Sequence, residues 1–154
     1  MCIRDSFQIP PGLSPGEHTL RIESPFGAAE QSIALAATSP GIFTLGGGRG
    51  AVLNQNGSVN GTTNPARRGE VIAVFGTGFG ALRTQGALQV TVAPVTGSLE
   101  GQPVLIHYAG AAPGFPGLYQ INVLLSQAIP PGLSGRLTLG QGEAISQPVF
   151  IAVQ

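Results

Sequence analysis

Hydrophobic and polar residues alternate along several short stretches of this chain. In the segment LYQINVLL, Tyr119, Ile121 and Val123 share one face of an extended strand. Gln120 and Asn122 face the opposite way, as expected for a strand buried on one side. Nowhere do eleven consecutive residues avoid Gly and Pro while keeping an apolar stripe at helical spacing. The pattern therefore predicts strands as the regular elements of the fold.

Two further segments refine this prediction. In PVLIHYAG, alternation places Val104, Ile106 and Tyr108 on the inward face. EVIAVFG, which begins at Glu70, is apolar on both faces, as is typical of a strand in the middle of a sheet. NQNG at 54–57 predicts a hairpin turn. Other strand candidates are residues 51–54, 88–92, 95–99, 136–140 and 147–153. Seven or eight short strands at this spacing predict an all-β, immunoglobulin-like antiparallel β-sandwich.

The hexapeptide IPPGLS occurs twice, at residues 9–14 and 129–134, and the residues that follow each copy are similar. Each copy predicts a turn, a strand, a second turn and a closing strand. Aligned side by side, Leu20 and Ile22 correspond to Leu137 and Leu139, and QSIALAA at 31–37 corresponds to QPVFIAV at 147–153. The period of about 120 residues favours tandem sandwich domains over a solenoid.

The repeat predicts a division of the chain into four parts. Residues 1–6, MCIRDS, resemble a translated sequencing adapter and are excluded from the fold. Residues 7–37 are expected to be the carboxy-terminal strands of a truncated preceding repeat. Residues 38–50, with their Gly run, are expected to be a linker, and 51–154 a complete immunoglobulin-like domain. Residues 81–99 are the segment whose strand register the sequence does not define.

The composition is poor in charge and rich in Gly and Pro. Charged residues make up 9% of the chain, the net charge is zero, and all seven basic residues are Arg. This excludes the basic surface that nucleic acids require. The longest apolar runs, such as VIAVF at 71–75, are far too short to span a bilayer, so no membrane insertion is expected. The single Cys2 cannot form an internal disulfide.

Three motifs over residues 38–154 carry a resemblance to a known family. SPGIFTL, AVLNQNGSVNGTTNPARRGEVIAVFGTGFG and YAGAAPGFPGLYQINV occur in this order. Together they resemble an uncharacterised carboxy-terminal domain family of secreted acidobacterial proteins. RRGEVIAVFGTGFG also resembles the start of the immunoglobulin-like IPT/TIG fold. The resemblance implies a secreted or cell-surface location and an immunoglobulin-like module, and it transfers no activity and no site residues.

The sequence offers little catalytic chemistry. VIAVFGTGFGA contains the G-x-G-x-x-A spacing of a dinucleotide-binding turn, with Glu100 at the distance of a ribose ligand. Gly86, a β-branched run and Pro94 occupy the place of the required helix, so an immunoglobulin-type turn is favoured. His18 and His107 are the only histidines, and both are interpreted as surface residues. No catalytic residue, cofactor site or metal site is therefore predicted.

Contact chemistry is concentrated in the aromatic loop PGFPGLY. Phe115, Tyr119 and Tyr108 form the candidate contact surface, with core packing of the rings as the alternative. The sequons that begin at Asn56 and Asn60 are interpreted as turn chemistry in a bacterial protein.

These observations predict a non-catalytic spacer, stalk or adhesive module of a secreted or cell-surface multidomain bacterial protein. Its expected partners are neighbouring domains of the same chain and, beyond these, a polysaccharide or a surface protein. The alternative is a carbohydrate-binding module appended to an extracellular enzyme. The absence of Trp and the presence of only two Tyr argue against a sugar-stacking face.

Overall fold

A computed structural model of the chain describes residues 7–10 and 12–154. The adapter-like hexapeptide at 1–6 lies outside the described residues. All regular secondary structure in the described part is β-strand. The chain divides into two compact units, with the boundary between Ala37 and Thr38. The strands are, in chain order, β1 (Gly16–Ser24), β2 (Gly27–Leu35), β3 (Gly41–Ile42), β4 (Val52–Leu53), β5 (Val71–Thr77), β6 (Leu82–Gln85), β7 (Leu88–Thr91), β8 (Thr96–Leu99), β9 (Gln102–Pro103), β10 (Leu105–Ala111), β11 (Tyr119–Leu124), β12 (Gly132–Gln141), β13 (Ala144–Ile145) and β14 (Val149–Val153).

The predicted fold class is confirmed. The protein is all-β, and residues 38–154 form an antiparallel sandwich of the immunoglobulin-like type. One sheet has seven strands in the order β3-β5-β11-β10-β7-β6, with β4 also paired to β5. The other has five strands in the order β13-β12-β8-β9, with β14 paired to β12.

Strand β5 lies inside the larger sheet, as its two apolar faces predicted. β11 pairs with one edge of β5, and the short strands β3 and β4 pair with the other. Neighbouring strands flank β5 on both edges, so their side chains lie beside those of β5. From Val71 to Gly76, the outward side chains of β5 are half-buried and the inward residues are fully buried.

The core lies between the two sheets and is almost entirely aliphatic. β5 and β11 contribute residues from the larger sheet, and β8, β12 and β14 contribute residues from the smaller one. Alternation along each strand delivers these side chains to one face. The central residues are Ile72, Val74, Ile121, Val123, Leu99, Leu137, Leu139, Val149 and Ile151.

Residues 38–50 belong to the sandwich and do not form the linker that the sequence predicted. β3 pairs with the end of β5 through Gly41 and Ile42, and the Gly50 amide donates to the Phe150 carbonyl at 3.0 Å. The Gly run is a tight turn in which Gly46, Gly47 and Gly48 all have positive φ. Gly-rich composition here meets a conformational requirement of a turn rather than a need for flexibility.

The first unit contains one regular element, the antiparallel hairpin of β1 and β2. Its strands pair from Gly16↔Leu35 to Ser24↔Gly27 and are joined by the two-residue turn Pro25–Phe26. Arg21 bonds to Glu23 and Glu30 on its surface. Within residues 7–10 and 12–37 there is no second sheet layer against which this hairpin packs.

Both copies of the repeat form antiparallel strand pairs. In the hairpin, Gly16 pairs with Leu35 and His18 with Ile33. In the sandwich, β12 and β14 pair through Gly135↔Ile151 and Leu137↔Val149. The spacing is two residues on each strand in both cases, and the pairing is antiparallel in both.

The turns of the two copies are also alike. Ser24 pairs with Gly27 across Pro25 and Phe26, and Gln141 pairs with Ala144 across another two-residue turn. If these turns are matched, Leu20 corresponds to Leu137 and Ile22 to Leu139, as in the sequence alignment.

Candidate functional site

The loop that joins β10 to β11 carries the most exposed of the three predicted contact residues. Backbone bonds close the loop: the Ala112 amide donates to Leu118, and the Phe115 amide donates to Ala112. Gly114 and Gly117 have positive φ, so the chain turns sharply on each side of Phe115. The Phe115 ring is 65% exposed and lies at the loop tip.

Tyr119 is at the start of β11 and packs on the core, which matches the alternative interpretation of its ring. Its ring centroid is 5.8 Å from that of Phe79, with the two ring planes tilted by 50°. Its hydroxyl donates to the Gly80 carbonyl. Burial raises the pKa of the Tyr119 hydroxyl above its ordinary value, because the phenolate would lose its hydration. Tyr119 thus anchors the segment that follows β5.

Tyr108 does not face the core as alternation predicted. A β-bulge at His107 shifts the register between Ile106 and Tyr108, so Ala109 packs against the core in its place. The Tyr108 hydroxyl donates to the Ala111 carbonyl at 2.9 Å and to that of Gln89 at 3.3 Å. Burial raises the pKa of the Tyr108 hydroxyl as well.

Gly110 is required beneath the Tyr108 ring. A Cβ atom at Gly110 would overlap the Gln89 carbonyl and lie 2.9 Å from the Cζ of Tyr108. The ring therefore covers a strand glycine, an arrangement that protects the local backbone. The structure does not join the three predicted residues into one aromatic platform: in the described part of the chain, the aromatic pair is Phe79 with Tyr119.

A groove that the sequence did not predict lies beside Tyr108. It has a volume of about 450 Å³ and is open to solvent along the β6–β7 hairpin. Arg83 contributes a cation, and Leu88 and Val90 contribute apolar surface. His107 lines the groove too, because the bulge turns this part of β10. No sequence pattern predicts the groove, because its shape depends on the strand register of residues 81–99, which the sequence does not define.

The Asn-rich segment that follows β4 forms a buried hydrogen-bond network. Asn60 is 4% exposed, donates to Asn54 and to the Ala152 carbonyl, and accepts from the Ala152 amide at 2.8 Å. Asn64 donates to the Ser58 hydroxyl and the Val59 carbonyl, both at 2.8 Å. This network ties the loop to β14 and satisfies the edge of that strand.

The two sequons therefore differ in their surroundings. Asn60 is buried and fully bonded, so its amide is committed to the fold. Asn56 is exposed and accepts from the Ser58 amide at 3.0 Å, while Gly57 has positive φ. The turn interpretation fits Asn56, which precedes the positive-φ Gly57, but it is wrong for Asn60, because Gly61 does not have positive φ and the Asn60 side chain bonds to Ala152 in β14.

The glycine-rich segment at the end of β5 allows two chain segments to approach closely. A Cβ atom at Gly76 would overlap the Gly41 carbonyl, and one at Gly78 would overlap the Ser39 carbonyl. The Ser39 amide donates to Gly78 at 2.9 Å. The chain then continues into strand β6, so the helix that a dinucleotide-binding turn needs does not follow here.

The titratable residues considered from sequence are dispersed. His107 is exposed, and the His18 ring bonds to the Ser14 carbonyl at 2.8 Å. Glu100 sits in a turn with positive φ and accepts from the Arg136 amide. Over residues 7–10 and 12–154, no three His, Cys, Asp or Glu side chains converge as metal ligands would. The same residues include no helix of the length and hydrophobicity needed to cross a bilayer.

Comparison with protein-family models, with curated proteins and with solved structures finds no match to this chain. The resemblance to secreted acidobacterial domains stays a prediction from the three sequence motifs.

Asn60→Ala is expected to lower the free energy of unfolding by about 3 kcal/mol, because it leaves the Ala152 amide without an acceptor and the Asn54 side-chain oxygen without its donor. The matched variant Asn56→Ala removes an exposed contact and should cost less than about 1 kcal/mol. Urea unfolding measures both. Equal losses in the two variants would contradict a structural role specific to Asn60.

Tyr119→Phe should cost about 1 kcal/mol at pH 7, since the bond to the Gly80 carbonyl is lost. In the unfolded chain the tyrosine ionises near pH 10, whereas burial delays ionisation in the fold. The unfolded state then binds fewer protons, so stability falls as the pH rises above about 10. Phe cannot ionise, and the gap between the two proteins should narrow at pH 11. A gap of constant size in urea unfolding would exclude this effect.

Proposed function

We propose that this protein is a non-catalytic structural module, one of a series of similar β-sandwich domains in a secreted or cell-surface bacterial protein. The observation that carries the proposal is the duplicated hairpin. Both copies have the IPPGLS lead-in, the antiparallel pairing and a two-residue turn, Pro25–Phe26 after β1 and residues 142–143 after β12. A chain that repeats its closing hairpin at a period near 120 residues is organised as a tandem array.

The use of the polar side chains supports a structural role. Tyr108 and Tyr119 direct their hydroxyls at backbone carbonyls, and Asn60 bonds to β14. These groups hold loops on the sandwich, and their hydrogen-bonding capacity is spent there. Tyrosine hydroxyls and asparagine amides bind ligands in many proteins, whereas here they stabilise the fold.

The surface chemistry supports attachment to neighbouring domains outside the cell. With charged residues at 9% and no net charge, the protein has little electrostatic repulsion to keep separate copies apart. Covalent linkage in an array removes the need for that repulsion. The resemblance of residues 38–154 to secreted acidobacterial domains supports the same location.

A carbohydrate-binding role is the second candidate, and the groove beside Tyr108 favours it. The groove combines an aromatic ring, the Arg83 cation and the His107 ring along a wall open to solvent. The partner of such a site would be a polysaccharide or a surface protein. The exposed Phe115 ring, which lies outside the groove, is a second candidate contact.

The array proposal predicts the gene sequence upstream of the codon for Phe7. That region should encode residues similar to 38–128, with branched aliphatic residues at the positions of Ile72, Val74 and Ile121. Sequencing of the parent gene tests this directly. An upstream region without a β-sandwich pattern would contradict the tandem array.

The spacer role further predicts no retention of the protein on a panel of insoluble bacterial and plant polysaccharides. Tyr108→Ala and Phe115→Ala are the diagnostic variants, and Phe26→Ala, at another exposed turn, is the matched control. Pull-down with gel quantification measures retention. Specific retention that is lost in either diagnostic variant and kept in the control, with unchanged circular dichroism, would replace the spacer role by the carbohydrate-binding one.

A further inference from the structure

The hairpin of β1 and β2 has one face that is built like the inside of a sandwich. We name this the hairpin face; it consists of His18, Leu20, Ile33 and Leu35. These four are the half-buried residues of the two strands, and every other residue of β1 and β2 is exposed. The pairing His18↔Ile33 places them on one side, because residues two apart on a strand point the same way.

The equivalent face of the sandwich is completely covered. In the sequence alignment, Leu20 corresponds to Leu137, Ile33 to Val149 and Leu35 to Ile151, and each of these three residues of the sandwich is at most 2% exposed. The residues that cover them come from the larger sheet, from β5 and β11. They include Ile72, Val74, Ile121 and Val123, all fully buried.

A fourth position of the repeat shows the same contrast. Ile129 opens the second IPPGLS copy and is 1% exposed in the core. Ile9 opens the first copy and is 46% exposed. The sequence has an isoleucine at both positions, although only one of them has a core around it. At four positions of the first copy, an aliphatic side chain thus has an equivalent in the second copy that is buried in the core.

We propose that the hairpin face is a docking surface for the larger sheet of another module of this type, which β1 and β2 close as β12 and β14 close residues 38–128. The partner is defined by its chemistry: an antiparallel sheet whose inner face carries branched aliphatic residues in the alternation of Ile72 and Val74. This inference rests on the proposed array. A second copy of this chain does not fit, because its own β12 and β14 already occupy that sheet.

The test supplies such a sheet to the intact chain. Residues 38–128 are fused ahead of Phe7, so the added sheet lacks its own closing hairpin while the rest of the protein stays whole. Hydrogen exchange is followed by mass spectrometry on peptides from β1 and β2. A two-stranded hairpin alone is marginally stable, so fast exchange is expected in the unextended chain. In the extended protein, exchange should slow by about 100-fold or more.

Variants on the two faces of the hairpin separate docking from general stabilisation. Leu20→Glu and Ile33→Glu place charge on the hairpin face and should abolish the protection. Thr19→Glu and Ala34→Glu, on the opposite face, should retain it. His18→Leu replaces the one polar residue of the hairpin face by an aliphatic one and should increase the protection.

Three outcomes would overturn the proposal. If the β1 and β2 peptides of the extended protein still exchange fast, the hairpin face does not accept this sheet. Slow exchange of the amides of residues 38–154 in the same sample shows that the protein is folded. If β1 and β2 are already protected in the unextended chain, and this protection does not depend on protein concentration, residues 38–154 of the same molecule cover the hairpin face. If that protection rises with concentration, the occupant is a second copy. The upstream gene sequence tests the array separately, so the docking surface and the array can fail independently.

Discussion

The fold depends on the contact between two aliphatic faces. Ile72 and Val74 on β5, with Ile121 and Val123 on β11, meet the side chains of β12 and β14 across the sandwich. At roughly 25 cal/mol per Å² of apolar surface removed from water, burial of these residues is the main stabilising contribution available to a chain with so few charges. Every other feature of residues 38–154 positions a strand so that this contact can form.

Close backbone approach and internal hydrogen bonds complete what the core begins. Glycines at 76 and 78 let the segment at residues 39–41 lie directly on the end of β5. Asn60 performs a related task at the other sheet by pairing with both backbone groups of Ala152. In a protein with little charge, these neutral contacts fix the loops, and this explains why Gly and Asn are concentrated in the motif that runs from Ala51 to Gly80.

Period-two alternation predicted the strands whose two faces differ. Tyr119, Ile121 and Val123 face the core as expected, and β5 has a neighbour on each edge. The errors arose where alternation carries no information. The bulge at His107 inserts one residue and turns Tyr108 to the other face, and bulges have no hydrophobic signature. The groove beside Tyr108 escaped prediction because it is lined by residues 83–95, whose strand register the sequence did not define.

The Gly run at residues 46–48 misled the sequence interpretation in a different way. Glycine is selected both in flexible linkers and in turns that need positive φ, and composition does not distinguish the two. Backbone geometry resolves the question, because Gly46, Gly47 and Gly48 all have positive φ and the Gly50 amide donates to the Phe150 carbonyl.

The two most exposed aromatic side chains of the described residues lie at the tips of hairpins. Phe26 is 99% exposed at the β1–β2 turn, and Phe115 is 65% exposed at the β10–β11 turn. Turn residues can change without disturbing the core, whereas the tyrosines are held by bonds to the backbone. In the proposed array, contacts made by the turns can therefore vary from one module to the next, while the aliphatic contact between the sheets stays the same.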